Sequence, residues 1–268
     1  HRRFKSRPEW EPIGFFSDCL CNSTKFDLML GFFSSSAINV LADGFASFLY
    51  NGGQMNLIIN DILTEQDKDA ISKGENDKPI PYFNIENLEQ LKNTLSERDV
   101  HFFECLSWLI RNKRLQIKII APKVGVGISH TKTGVFSDGV NSVGFDGSCN
   151  FSRSALIDNI ESFTVFCDWD GNTAVATINE IKNEFELTFS GKDENVIIVA
   201  ADNLKTRIND LFKNKELKDL LEDEYRFIQQ DLSNTTLPKS VIKALDKAKN
   251  KVEAEIEKVK TEGEKLPQ

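Results

Sequence analysis

Apolar and polar positions change period several times along this chain, and each change marks an element. Residues 25–33 (KFDLMLGFF) are almost continuously apolar and short, the pattern of a buried strand. The run ends at Ser34-Ser35-Ser36, where Ser36 is placed to cap a helix over residues 37–50 that stops at Asn51-Gly52-Gly53. Residues 54–60 (QMNLIIN) read as a second strand. Strand, helix and strand joined by short connections make a βαβ unit, so the sheet should hold parallel strands. Thr64 is placed to cap a short polar helix ending near Ser72, and residues 73–81, rich in Gly, Asn, Asp and Pro, read as a loop. Leu88, Leu91, Leu95, Phe102, Phe103, Leu106, Leu109 and Ile110 then recur at helical spacing across residues 85–113.

Residues 115–121 (LQIKIIA) predict a third strand, and residues 129–136 and 142–145 a hairpin across the turn 137–141. A short helix over 152–157, a strand over 161–169 (ESFTVFCDW), an amphipathic helix over 173–189 and a last buried strand over 196–201 complete the pattern. The fold expected is α/β, with a mixed, mostly parallel sheet flanked by helices, filling residues 1–202. The first 25 residues carry a basic start (Arg2, Arg3, Lys5, Arg7) that reads as a solvated, partly disordered terminus. Beyond residue 202 the pattern is helical over 204–212 and 216–230, with a break at 233–238. Residues 239–260 are dense in Lys, Glu and Ala and read as a lone helix, a linker or a coiled-coil stub. Residues 203–268 are therefore expected to be a helical extension or linker. There is no internal repeat.

Composition narrows the classes. The 268 residues are 40% hydrophobic and 28% charged, the balance of a globular protein, and no stretch approaches the roughly 20 consecutive apolar residues of a membrane span. The five cysteines (Cys19, Cys21, Cys105, Cys149, Cys167) are odd in number and scattered, which speaks against a disulfide framework and fits a reducing cytoplasm. Cys19 and Cys21 have no second Cys/His pair at zinc-site spacing and read as packed turn residues. A net charge of −8 speaks against a broad basic surface for nucleic acid, yet leaves room for a local cluster that binds one phosphate. No Walker-type phosphate loop occurs, so ATP hydrolysis is not expected. The chain begins at His1 and is expected to be a piece of a longer protein.

The candidate chemistry centres on His130 and Lys132, two apart on a predicted strand and so on one face of the sheet. The run Gly147-Ser148-Cys149-Asn150 follows the second hairpin strand, where small residues and backbone amides gather in a setting suited to an anion. Glu161 opens the next strand. Phosphodiester cleavage needs a nucleophile, a cradle for the nonbridging oxygens and an acid for the leaving oxygen. A neutral imidazole serves as nucleophile, the Lys132 ammonium and the Asn150 amide donate to phosphate oxygens, and the Glu161 carboxylate fixes the imidazole tautomer. That scheme needs no metal and no cofactor. By contrast, His101 lacks a partner motif and reads as structural, and Phe163 and Trp169 read as core.

The order His130-Thr131-Lys132, Gly147-Ser148-Cys149-Asn150, Glu161 resembles the His-Lys-Asp motif of the phospholipase D superfamily: His-x-Lys, then Gly-Ser-x-Asn about fifteen to twenty residues on, then Glu about ten residues after the Asn. One position departs: the slot of the family's Asp holds Ser137, with Asp138 one later, which puts the role of Asp138 in doubt. Phe32-Phe33-Ser34, residues 54–60 with Asp61, the helix before residues 115–121, and residues 159–169 (NIESFTVFCDW) further resemble the phospholipase D-like domain at the N-terminus of bacterial DEAD/DEAH-type helicases of restriction and phage defence. The resemblance implies a DNA endonuclease working through a phosphohistidine, with Ser148 and Ser152 supporting the phosphate beside Gly147, Lys132 and Asn150, and Arg153 extending the cradle. It implies a helicase domain following residue 268. Because only one His-x-Lys is present, it also implies a homodimer sharing one site. The alternatives are a catalytically silent DNA-binding or dimerisation module and, less favoured, a lipid phosphodiesterase.

Overall fold

The computed structural model describes residues 2–5, 11–30, 43–60, 92–93, 95–123, 132–147, 162–199, 201–234, 237 and 239–263. In chain order the elements are β1 (Arg2–Lys5), α1 (Glu11–Asn22), β2 (Lys25–Leu30), α2 (Phe45–Tyr50), β3 (Gln54–Asn60), α3 (Glu97–Arg111), β4 (Leu115–Pro122), β5 (Lys132–Ser137), β6 (Ser142–Gly147) and β7 (Ser162–Cys167). A 3-10 turn (Asp168–Asp170), α4 (Asn172–Phe189), β8 (Val196–Val199), α5 (Asp202–Leu211), α6 (Leu217–Leu232) and α7 (Lys239–Glu262) follow. The strands form one mixed sheet in the order β1-β7-β6-β5-β2-β3-β4-β8. β2, β3 and β4 run parallel, as the βαβ pattern requires. The other five pairings are antiparallel, so the expected mostly parallel balance is reversed. β5, β6 and β7 and both edge strands each pair antiparallel with their neighbours, and only the β5–β6 pair is a short-turn hairpin.

Strand alternation sends two sets of side chains to opposite faces. Phe26, Leu28, Leu57, Ile117, Phe136, Phe145, Phe163 and Val165 enter the main core with α1, α2 and α3. On the other face α4 covers the sheet, with Phe185 against Met29, Ile58 and Ile120, and Ile178 and Ile181 against Val135. Helices α5, α6 and α7 close the outside of the main core through Leu204, Ile208, Leu220, Leu221, Ile228, Leu245 and Val252. No helix among the described residues is long and apolar enough to cross a membrane.

Several expectations are corrected. The basic start is not a solvated tail: Arg2–Lys5 pairs with β7 as an edge strand. Residues 11–22, read only as mixed, form α1, which buries Phe16, Leu20 and Cys21. The helical run across 85–113 is interrupted, and α3 starts afresh at Ser96, whose hydroxyl accepts from the Asp99 amide while Asp99 accepts from the Ser96 amide. β8 is an edge strand rather than a buried one, and Ile197 remains 48% exposed. Trp169 lies outside the core at 58% exposed, whereas Phe163 is buried as expected. The expectations for residues 31–42, 61–91, 124–131 and 148–161 lie outside the described residues, and of the helix expected over 37–50 the described part is α2 from Phe45.

Candidate active site at the carboxyl end of the parallel strands

The strand register decides which parts of the motif become neighbours. Lys132 opens β5 and pairs with Leu30, the last residue of β2, on one side and with Gly147, the last residue of β6, on the other. Gly147 in turn pairs with Phe163, the second residue of β7. The start of β5, the end of β6 and the start of β7 thus lie side by side, at the edge of the sheet where β2, β3 and β4 present their carboxyl ends. Ligands of α/β sheets gather outside that edge, where loops leave the strands. Of the candidate residues, Lys132 and Gly147 are described; His130, Ser148, Asn150, Ser152, Arg153 and Glu161 lie outside the described residues.

Lys132 is 7% exposed and is not without an interaction partner. Lysines are rarely buried to this degree unless paired, which sets this position apart from an ordinary strand lysine. It shares the main-core face with Gly134 and Phe136, while Val135 packs on the α4 side. Further along that face lies an aromatic floor. Phe136 stacks on Phe26 with ring centres 4.0 Å apart, and Phe16 meets Phe145 edge to face at 5.3 Å. Gly134 makes this floor possible: a Cβ there would stand 2.7 Å from the Phe145 ring and 2.9 Å from the Asp27 carbonyl oxygen. No side chain fits between those atoms.

Asp138 lies at the other end of β5, about 20 Å from Lys132 at roughly 3.3 Å per strand residue. Its carboxylate accepts from the amides of Val140 (2.8 Å) and Asn141 (2.6 Å) and from the Asn141 side chain (3.1 Å). Those bonds favour the charged form and hold its pKa below the usual carboxylate range. Asp138 therefore shapes the β5–β6 turn, and Trp169 sits beside the same turn, lining a cavity of about 380 Å³ with Asp138 and Asn141. Neither residue is placed to meet Lys132.

One group away from this edge has a metal-like donor set. His101, Glu104 and Asp223 bring ligand atoms within 4.8 Å of one another beside a cavity of about 390 Å³ between α3 and α6. Its charges are already matched. The Lys215 ammonium lies 2.7 Å from Glu104 and 2.5 Å from Asp223, and Arg226 donates to Asp223 at 3.2 Å. Burial pushes the His101 pKa down to about 4, so the imidazole is neutral at pH 7. The group is an internal ion-pair network that ties α3 to α6, in keeping with a structural His101. Its partners lie over a hundred residues apart in sequence, so no local spacing signalled it. The thiols of Cys19 and Cys21 are likewise held protonated, Cys19 well above its usual range and Cys21 up to about 12, chiefly by burial.

No protein-family model and no curated protein matches the chain. Among solved structures it is similar to NucT from Helicobacter pylori (15% identity, TM-score 0.40, covering 69% of this chain and 94% of that one). It is also similar to a polyphosphate kinase from Porphyromonas gingivalis (12%, 0.41, 95% of this chain and 29% of that one). A phosphatidylserine synthase from Haemophilus influenzae Rd KW20 aligns at 15% identity and TM-score 0.42, covering 81% of this chain and 42% of that one. Likeness at this level does not assign the chain.

Proposed function

We propose that this chain is a phosphodiesterase of the phospholipase D type that cleaves DNA without a metal. The observation that carries the reading is the register Lys132–Gly147–Phe163. His130 precedes Lys132 by two residues, Ser148 and Asn150 follow Gly147 at once, and Glu161 precedes β7 by one. The strand ends to which the three parts of the motif are attached therefore lie side by side at one edge of the sheet. Continued strand alternation would put His130, Lys132 and Glu161 on the same face.

In the proposed reaction a nitrogen of His130 attacks phosphorus, and the P–O bond to the leaving nucleoside oxygen breaks. Glu161 accepts a hydrogen bond from the other ring nitrogen. Lys132, Asn150 and Ser148 donate to the nonbridging oxygens as negative charge builds there. His130 of the partner subunit gives its proton to the leaving oxygen. It then takes a proton from the water that hydrolyses the phosphohistidine. DNA as substrate rests on the resemblance to helicase-associated domains, as does a helicase domain beyond residue 268. The test is cleavage of supercoiled plasmid in EDTA. Wild-type protein should cut, His130→Ala should not, and Lys132→Met should be slower by about two orders of magnitude, the usual effect of losing one charge-stabilising donor. Equal cutting by wild type and His130→Ala would refute the reading.

A further inference from the structure

Two carboxyl groups are buried where the C-terminal helices meet α2. Glu224 of α6 is fully buried, and its Oε2 accepts from the Ala46 amide at 2.6 Å. Glu255 of α7 is 4% exposed, and its Oε2 accepts from the Ser47 hydroxyl at 2.7 Å. Each carboxyl has a second oxygen, Oε1, that is buried and has no hydrogen-bond partner. Gly44, just before α2, has φ 111° and lies 3.0–3.3 Å from Ser17 and Cys21 of α1 when a Cβ is added, so only glycine lets α2 start this close.

Among the described residues the pair has no close cationic partner; the amides at the start of α2 are what favour the Glu224 anion. Lys251 of α7 donates to the Cys21 carbonyl and to Asn22, and it and Lys258, also of α7, favour the Glu255 anion only at range. Arg98 of α3 is committed to Asp43 at 2.7 Å and Asp231 at 2.8 Å. His101 of α3 approaches Glu224 no closer than 4.0 Å, and burial keeps it neutral. Asp43 adds negative charge, and the thiols of Cys21 and Cys105 stay protonated. Among the described residues no Lys or Arg nitrogen lies within ion-pair distance of either carboxyl.

We propose that α6 and α7 are fastened to α2 by a proton-dependent clasp, in which Glu224 and Glu255 carry at most one negative charge between them while closed, and ionisation of both loosens the hold on α2. Two like charges in one dry site cannot both persist without partners. Burial raises the pKa of Glu224 to about 8 and that of Glu255 to about 7, each further raised by a nearby carboxylate. The sign follows from which form the fold prefers. These acids prefer to be protonated in the fold, so their contribution is complete below the ordinary carboxyl pKa and is lost as pH rises through about 7 and 8.

The experiment is amide hydrogen exchange of the 268-residue chain at pH 6 to 9, read at α2 and corrected for intrinsic exchange. Wild-type protein should show the opening equilibrium at Ala46 rising by up to about tenfold per pH unit between pH 7 and 8, the weight of one proton. The Glu224→Gln/Glu255→Gln double variant should show no such rise. Equal pH dependence in both proteins would overturn the proposal. A carboxyl-carbon NMR titration of wild-type protein tests it without any variant: midpoints near 8 and 7 support it, and midpoints at the ordinary glutamate value of 4.5 overturn it.

Discussion

Gly134 sits between Lys132 and Phe136 on one strand face, and its missing side chain is what lets Phe145 lie across β5. Gly134→Val should destabilise the protein by about 1–3 kcal/mol, the usual cost of overpacking a closed core, seen as a lower denaturant midpoint at unchanged slope. Asp138→Ala makes a contrasting case. It removes the acceptor for two turn amides, so stability should fall by about 1 kcal/mol while plasmid cleavage continues at the wild-type rate. A large loss of cleavage with the fold intact would place Asp138 in the site after all. The sequence left that residue ambiguous for a physical reason: Asp is both a favoured hairpin-turn residue and the family's motif residue, and here it stands one position from the motif slot. The burial of Lys132 was equally invisible, because strand periodicity shows a lysine's face and not what closes over it. Trp169 reads as core from hydrophobicity alone, which does not reveal that the chain has already left the sheet.

At the level of elements, the central strands and α4 were legible because each has a long, clean period. β1 and α1 were not. A four-residue strand rich in arginine and lysine has no apolar alternation to read, and its place is set by pairing with β7. α1 carries Pro12 and Gly14, two residues that weaken any helical reading, and forms because Phe16, Leu20 and Cys21 are needed against the sheet. The start of α3 was written in the sequence as Ser96-x-x-Asp99 but was overridden by the apolar period on either side. Ser96→Ala should cost about 1 kcal/mol, the usual worth of an N-cap, read from a thermal or urea unfolding curve. An unchanged curve would mean that packing alone fixes the start of α3.

For the whole molecule, the helices after residue 202 share the core that backs the sheet. In α7 the buried positions Val241, Ala248 and Glu255 are seven apart, as are Leu245, Val252 and Val259, and together they form the seam of a heptad pattern. The seam is hard to read from the sequence because alanine and a buried glutamate occupy two positions where a heptad count looks for large apolar residues. Removing residues 203–268 should uncover Phe45, Phe48, Phe102 and Phe103 and leave an insoluble or unfolded product, checked by circular dichroism and gel filtration. A folded, soluble fragment would show that the sheet and its first four helices suffice. The claim that binds residue, strand and molecule together is that phosphate is transferred to His130 at the carboxyl edge of the sheet. It is tested most directly by incubating the protein with DNA in EDTA, quenching in denaturant at a pH that preserves phosphohistidine, and mapping the adduct by mass spectrometry. A nucleotide-phosphate adduct is expected on the peptide that holds His130, absent in His130→Ala; DNA cleavage with that peptide unmodified, or cleavage only when a divalent metal is added, would overturn the phosphohistidine route.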